Sequence, residues 1–313
     1  MSSLPTLLQQ LYTTAASPVT QLHSGLLRRH ELSVYLKRDD LLHPEIGGNK
    51  WRKLKYNLAE AINHDAKGLA TFGGAYSNHI AAVAAAGRKF GLATTGFIRG
   101  EEHLPLNPTL RRATQNGMQL IYLDRERYRR KNEPEVQNQL KNSLPENVYF
   151  LPEGGSNTLA VKGCAELVAE LDIHWDYFCC PAGTGGSMAG IIAGSAGLGT
   201  ILGFPALKGG QFLYDEIEEL QRSFSGATHS NWKLITEYHF GGYAKVKPEL
   251  LDFINWFREE FRIQLDPVYT GKMMFGIFDL ISKNYFPKGS TIIAWHTGGL
   301  QGLAGMRERG MQV

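Results

Sequence analysis

One lysine stands where backbone geometry could make it a nucleophile. Gly47-Gly48-Asn49-Lys50 runs directly into Trp51-Arg52-Lys53-Leu54. Paired glycines adopt backbone conformations closed to other residues and let a ligand approach the main chain. Leu54, Leu58, Ala59 and Ile62 then recur at helical spacing, which predicts a helix. A lysine at a helix start feels the positive end of the dipole, which disfavours its ammonium form. A free amine attacks carbonyls, the requirement for a Schiff-base lysine. Taken alone, the pattern is better described as a solvated helix-start lysine.

Four further turns carry polar groups at predicted strand ends. Residues 69–79 pass from an apolar run through Gly73-Gly74 to Ser77, Asn78 and His79, which open an alanine-rich helix. Residues 177–190 run from a strand through Gly183-Thr184-Gly185-Gly186-Ser187 into a small-residue helix. Unpaired N–H groups at such a helix start, with two hydroxyls, suit a phosphate. Asp266 to Lys272 leads into an apolar helix, and His296-Thr297-Gly298-Gly299 ends a strand. Strand-to-turn sites of this kind are where open α/β sheets bind ligands.

The elements that must position these groups alternate. Strands are expected at 34–36, 68–72, 93–98, 119–123, 148–151, 177–180, 201–206 and 291–295. Helices are expected near 50–63, 78–90, 108–116, 158–171, 187–196, 211–223, 248–262 and 273–284. Gly91 and Gly117 read as helix stops. Alternation at this spacing implies α/β architecture with open, mostly parallel twisted sheets. The least regular stretch is 225–245, with Gly241-Gly242-Tyr243.

Composition narrows the function classes. The 313 residues can bury a large core and suggest two domains. Hydrophobic content of 43% and charged content of 20% are ordinary for a globular protein. A net charge of +3 gives no argument for nucleic acid or membrane binding. The basic run from Arg125 to Lys131, interleaved with Glu126, reads as a solvated helix face. Met1 to Val19 lacks the pattern of a secretory signal, and no stretch approaches the roughly 20 apolar residues of a membrane span. Cys164, Cys179 and Cys180 are expected as reduced core residues of a cytoplasmic protein. The vicinal pair should face opposite sides of a strand. No cysteine–histidine spacing suggests a metal site.

Six motifs occur in one order: Lys37-Arg38-Asp39-Asp40, Gly47-Gly48-Asn49-Lys50, Gly73-Gly74 with Ser77-Asn78-His79, Gly183 to Ser187, Tyr269-Thr270-Gly271-Lys272, and His296 to Gly299. Over nearly its whole length the chain resembles the 1-aminocyclopropane-1-carboxylate deaminase / D-cysteine desulfhydrase family. These are pyridoxal-phosphate enzymes with the tryptophan-synthase-β-like fold (fold type II). The resemblance implies a larger cofactor-binding domain, residues 1–50 and 161–313, with a smaller α/β domain, 51–160, inserted. It implies that Lys50 carries pyridoxal 5'-phosphate, that Thr184, Gly185, Gly186 and Ser187 cradle the phosphate with Lys53, and that Asn78 bonds the ring 3-oxygen. Ser77 and Tyr269 would face a small amino-acid substrate, and a homodimer is expected.

The two branches differ at readable positions. Deaminases carry glutamate after the Tyr269 equivalent and leucine at the Thr297 equivalent. This chain has Thr270 and Thr297, the desulfhydrase-like pattern; which of them meets the pyridine nitrogen stays open. A carboxylate there would strengthen the electron sink, which a hydroxyl cannot do. The resemblance therefore points to elimination from D-cysteine, giving pyruvate, ammonia and hydrogen sulfide, with Lys50 as general base. The alternatives are deamination of 1-aminocyclopropane-1-carboxylate, another lyase or racemase reaction on a small amino acid, a non-catalytic small-ligand binder, and a Rossmann-like nucleotide binder. Tyr76 and Ile80-Ala81-Ala82 depart from the family's glutamine and Thr-Arg-Gln beside the substrate. Tyr76 is expected either to stack over the cofactor ring or to pack in the core. His79 and His296 are expected to satisfy turn carbonyls.

Overall fold

A computed structural model describes residues 8, 9, 11–13 and 16–312 of the chain. Part of the Met1–Val19 stretch considered above therefore lies outside the described residues. The strands are β1 Val19–Leu22, β2 Ser33–Arg38, β3 Gly68–Gly73, β4 Ala93–Arg99, β5 Met118–Leu123, β6 Val148–Leu151, β7 Tyr177–Ala182, β8 Thr200–Pro205, β9 Trp232–Leu234 and β10 Thr291–His296. The helices are α1 Gly25–Arg29, α2 Asn49–Asn63, α3 Asn78–Phe90, α4 Pro108–Gln115, α5 Arg125–Arg129, α6 Pro134–Asn142, α7 Thr158–Ala169, α8 Gly186–Ser195, α9 Leu213–Ser225, α10 Pro248–Phe261, α11 Thr270–Ser282 and α12 Leu303–Glu308.

Two sheets result. One has six strands in the order β1-β2-β10-β7-β8-β9; the other has four in the order β5-β4-β3-β6. All pairings are parallel except β1 with β2. Both faces of each sheet carry an apolar core, as parallel sheets require. Cys179 belongs to the core on one face of the six-stranded sheet and Cys180 to the core on the other. All three cysteines are free and buried, as expected.

Every expected strand forms. The short edge strands β1 and β9 and the short helices α1, α6 and α12 escaped the periodicity reading, because three to nine residues hold too few repeats; α5 forms within the basic run read as a solvated helix face. Gly91 ends α3 in the left-handed region at φ 69°, and Gly117 follows α4 at φ 88°. Helix α11 begins at Thr270, three residues before its expected start, and that shift matters for the site. Among the described residues no helix is long and apolar enough to cross a membrane.

Candidate active site

A cavity of about 890 Å³ opens between the two sheets. Its walls come from turns that follow β2, β3, β4, β6, β7, β8 and β10. These are carboxyl ends of strands, where open parallel sheets present their loops to ligands.

Lys50 lies on this wall, at the second position of α2. Its entry turn is built on glycine for a structural reason. Gly47 and Gly48 sit at φ 57° and 56°, and a Cβ on Gly48 would fall 1.9 Å from the Thr297 carbonyl oxygen. That carbonyl accepts from Asn49 N–H at 3.2 Å, so the end of β10 is pinned against the start of α2. The Lys50 ammonium donates to Asn49 Oδ1 at 3.1 Å and has no carboxylate partner among the described residues. Its pKa falls to about 8, first because burial removes water; the charge of Asp266 acts the other way. Desolvation, more than the helix dipole, is therefore what frees this amine.

Lys53 follows one turn later, 2% exposed, and donates to Ser156 Oγ at 2.8 Å. Ser156 Oγ lies 2.6 Å from Thr184 Oγ1. Burial, and then the neighbouring Lys50, lower the Lys53 pKa to about 7. Two cations and two hydroxyls thus converge with no ion-paired carboxylate among the described residues, a donor set that fits a phosphate. Gly185 starts α8 at φ 73°. A Cβ on Gly186 would meet Ser156 Oγ at 2.6 Å and Lys53 Nζ at 3.2 Å, so a side chain there would fill the cradle. The first N–H groups of α8 have no intrahelical acceptor. Ser187 Oγ accepts from Asn49 Nδ2 at 2.8 Å, joining cradle and lysine turn.

Ser77, Asn78, Thr184, Gly185, Ser187, Tyr269 and Thr297 line the same cavity as Lys50 and Lys53. Ser77 caps α3, its oxygen accepting from His79 N–H at 3.2 Å and Ile80 N–H at 3.3 Å. Its own proton is left to donate. Asn78 Oδ1 accepts from Gln301 Nε2, which leaves the Asn78 amide N–H₂ for a second partner.

Thr270 stands apart. It is fully buried, donates to Asp266 Oδ2 at 2.6 Å and accepts from Asp266 N–H at 3.0 Å. Its hydroxyl is thus committed on both sides.

Several site residues are marked in the sequence by weaker signals. Ser156 follows Gly154-Gly155 after β6, a fifth strand-to-glycine turn with a hydroxyl. Asn49 lies beside the lysine it supports. Tyr243 comes from the irregular stretch: Tyr269 Oη donates to Tyr243 Oη at 3.4 Å, with rings edge to face at 5.9 Å. Burial pushes both phenols up, Tyr269 well above its ordinary value, so both keep their protons at neutral pH. Gly183 makes room for the Tyr269 ring, since a Cβ there would lie 3.1 Å from its edge.

Of three further neighbours, His296 meets its expectation, His79 does not, and Tyr76 loses the core alternative. His296 bonds the Gln264 carbonyl at 2.7 Å, as expected. Tyr76 lines the cavity and does not enter the core. It is 38% exposed and lies under the Arg309 guanidinium at 4.8 Å, against Gly305, where a Cβ would come within 2.8 Å of the ring. His79 pairs with Thr71 Oγ1 at 2.8 Å instead of with a turn carbonyl. That hydroxyl relays to the Leu151 carbonyl at 3.1 Å, because β3 places a threonine between ring and turn. Burial and the two lysines hold His79 neutral, well below its ordinary pKa.

Known proteins resemble this chain in sequence and in fold. A protein of Pyrococcus abyssi, provisionally named 1-aminocyclopropane-1-carboxylate deaminase, is 31% identical over 286 residues, 87% of this chain and 86% of its own. The bifunctional D-cysteine desulfhydrase/1-aminocyclopropane-1-carboxylate deaminase of Arabidopsis thaliana is 31% identical over 296 residues, 86% of this chain and 73% of its own. The crystal structure of an ACC deaminase homologue superposes with a TM-score of 0.83 at 27% identity, covering 97% of this chain and 98% of that one. The family model described as pyridoxal-phosphate dependent enzyme matches residues 13–298. The lysine, the phosphate cradle and these likenesses agree, and the chain belongs to the pyridoxal-phosphate dependent enzymes.

Proposed function

We propose that this enzyme catalyses α,β-elimination on a small amino acid, with D-cysteine as the substrate and pyruvate, ammonia and hydrogen sulfide as products, one water being consumed. The observation that carries the reading is Lys50: an amine on the cavity wall whose pKa of about 8 leaves it partly free at neutral pH.

When bound, pyridoxal phosphate supplies the electron sink that acidifies the substrate's α-carbon. In this proposal Lys53, Ser156, Thr184, Ser187 and the start of α8 hold its phosphate. Asn78 faces the ring oxygen and Thr297 the pyridine side. Lys50 is the base for the α-proton, its pKa close to the working pH as general-base catalysis favours. Ser77 spends its oxygen on two helix N–H groups and offers its proton to the substrate carboxylate. The protonated Tyr269, backed by Tyr243, is placed to give a proton to the departing sulfur. The neutral Thr270 supports a sink without a carboxylate, enough for a leaving group as good as hydrosulfide. The division into 1–50 with 161–313 and an inserted 51–160 belongs to the same proposal. Its support is the confinement of the four-stranded sheet to residues 68–151.

The names of the relatives favour a second reading, deamination of 1-aminocyclopropane-1-carboxylate. An absorbance scan of purified protein, then D-cysteine with detection of pyruvate and sulfide, separates them. A visible cofactor band with both products is expected. Pyruvate from D-cysteine without sulfide, or product only from the cyclopropane substrate, overturns the first reading. Lys50→Ala should lose both band and turnover; turnover without the lysine would remove its role.

A further inference from the structure

We propose that Lys272 is a positioning residue: its buried ammonium ties down the turn that carries Tyr243 onto Tyr269. The proposal rests on the catalytic reading of the tyrosine pair and extends it to a residue that touches neither substrate nor cofactor.

Lys272 is 1% exposed and makes no ion pair among the described residues. An ammonium has three donors, and all three are used on main-chain carbonyls. They reach Gly242 at 2.7 Å, His239 at 2.9 Å and Ala206 at 3.2 Å. Ala206 follows β8, while His239 and Gly242 belong to the turn that delivers Tyr243. Burying an unpaired cation is costly, and a methionine would fill the volume without that cost. A cation retained here is explained by the three carbonyls it gathers.

The turn needs such a clamp. Gly241 and Gly242 stand at φ 96° and 127°, and neither belongs to a helix or strand. Tyr269 is the residue that caps α11, and Lys272 lies in the first turn of the same helix. One helix start therefore holds Tyr269 directly and Tyr243 through the clamp. The spacing of the two phenols is set by a single rigid element.

The test uses the cofactor-loaded enzyme and the variants Lys272→Met, Tyr243→Phe and their combination. Trypsin cleavage after Lys245, mapped by mass spectrometry, reads the turn without reference to activity. It should accelerate about tenfold or more in Lys272→Met and stay unchanged in Tyr243→Phe, because local opening governs cleavage. Turnover of D-cysteine should fall in each single variant, by about 100-fold for loss of a proton-transfer group. The double variant should fall no further than the worse single, as for residues acting as one unit. Unchanged cleavage after Lys245 overturns the clamp, and multiplying losses overturn its action through Tyr243. If Lys272→Met does not fold, Gly242→Ala displaces the same carbonyl from the turn's side, since φ 127° admits no L side chain without strain. The same accelerated cleavage is expected there. If D-cysteine is not turned over at all, the proposed function fails while the cleavage result still decides the clamp.

Discussion

Replacing Lys53 with methionine should make the cofactor-free protein more stable and its phosphate grip weaker. Lys53 is almost wholly buried with a serine hydroxyl as its partner, and its pKa falls from 10.5 to about 7. In the unfolded chain the lysine titrates normally. Between about pH 7 and 10.5 the folded protein therefore binds fewer protons, and stability must rise with pH across that window. At about 1.4 kcal/mol per pH unit, the buried lysine costs roughly 5 kcal/mol at pH 6 and roughly 2 kcal/mol at pH 9. Methionine fills similar space without charge and loses one hydrogen bond worth about 1 kcal/mol. The net gain is then about 4 kcal/mol at pH 6 and about 1 kcal/mol at pH 9. At about 2–4 °C per kcal/mol, melting curves of the cofactor-free proteins should differ by about 8–16 °C at pH 6 and by a few degrees at pH 9. Removing the Lys53 charge also relieves its neighbour Lys50, which adds to the gain where both would be charged. Affinity for pyridoxal phosphate should move the other way, about 10–100-fold weaker for one charge-assisted bond. A variant that melts lower than the parent at pH 6, or gains equally at both pH values, would refute the buried unpaired cation. Unchanged affinity would refute the cradle.

Other perturbations act through different parts of the frame. Arg52 bonds Asp39 at 2.6 and 2.9 Å and Glu170 at 2.7 and 2.9 Å; Arg52→Met should cost about 3–5 kcal/mol by leaving the buried Asp39 carboxylate without its cation, read as a lower denaturation midpoint. Gly185→Ala forces a side chain at φ 73° to within 2.9 Å of Ile217, with about 1–3 kcal/mol of strain, and gel-filtered protein should lose its visible band. Ser77→Ala removes a helix cap worth about 1 kcal/mol and a carboxylate donor, so KM should rise more than kcat falls.

The signals legible in the sequence are those with a local cause. Strand–helix alternation predicts the parallel sheets, and glycine-punctuated turns predict which residues gather at the carboxyl ends. The reactive amine is also legible, but its main physical cause is not. A helix dipole can be read from position, whereas desolvation of Lys50 depends on β10 closing over Gly48, a contact 249 residues away in sequence. Tyr243 escapes the sequence for the same reason. Its place is set by carbonyls gathered around Lys272, and no periodicity encodes that.

Thr270 shows the limit most clearly, because a single position reads as the switch between two chemistries. Asp266 accepts from the N–H groups of Val268, Tyr269 and Thr270 and from the Thr270 hydroxyl. Its carboxylate organises the first turn of α11 and is satisfied only while residue 270 donates. A glutamate at 270 would remove the hydroxyl that now donates to Asp266 Oδ2 at 2.6 Å and bring a second carboxylate to the start of the same helix, where like charges disfavour each other. A deaminase-type residue at 270 would therefore cost Asp266 one of its four donors. What the structure shows is the Asp266–Thr270 pair. It holds the start of the helix that carries Tyr269 and keeps a neutral group at the position where the other branch places a charge.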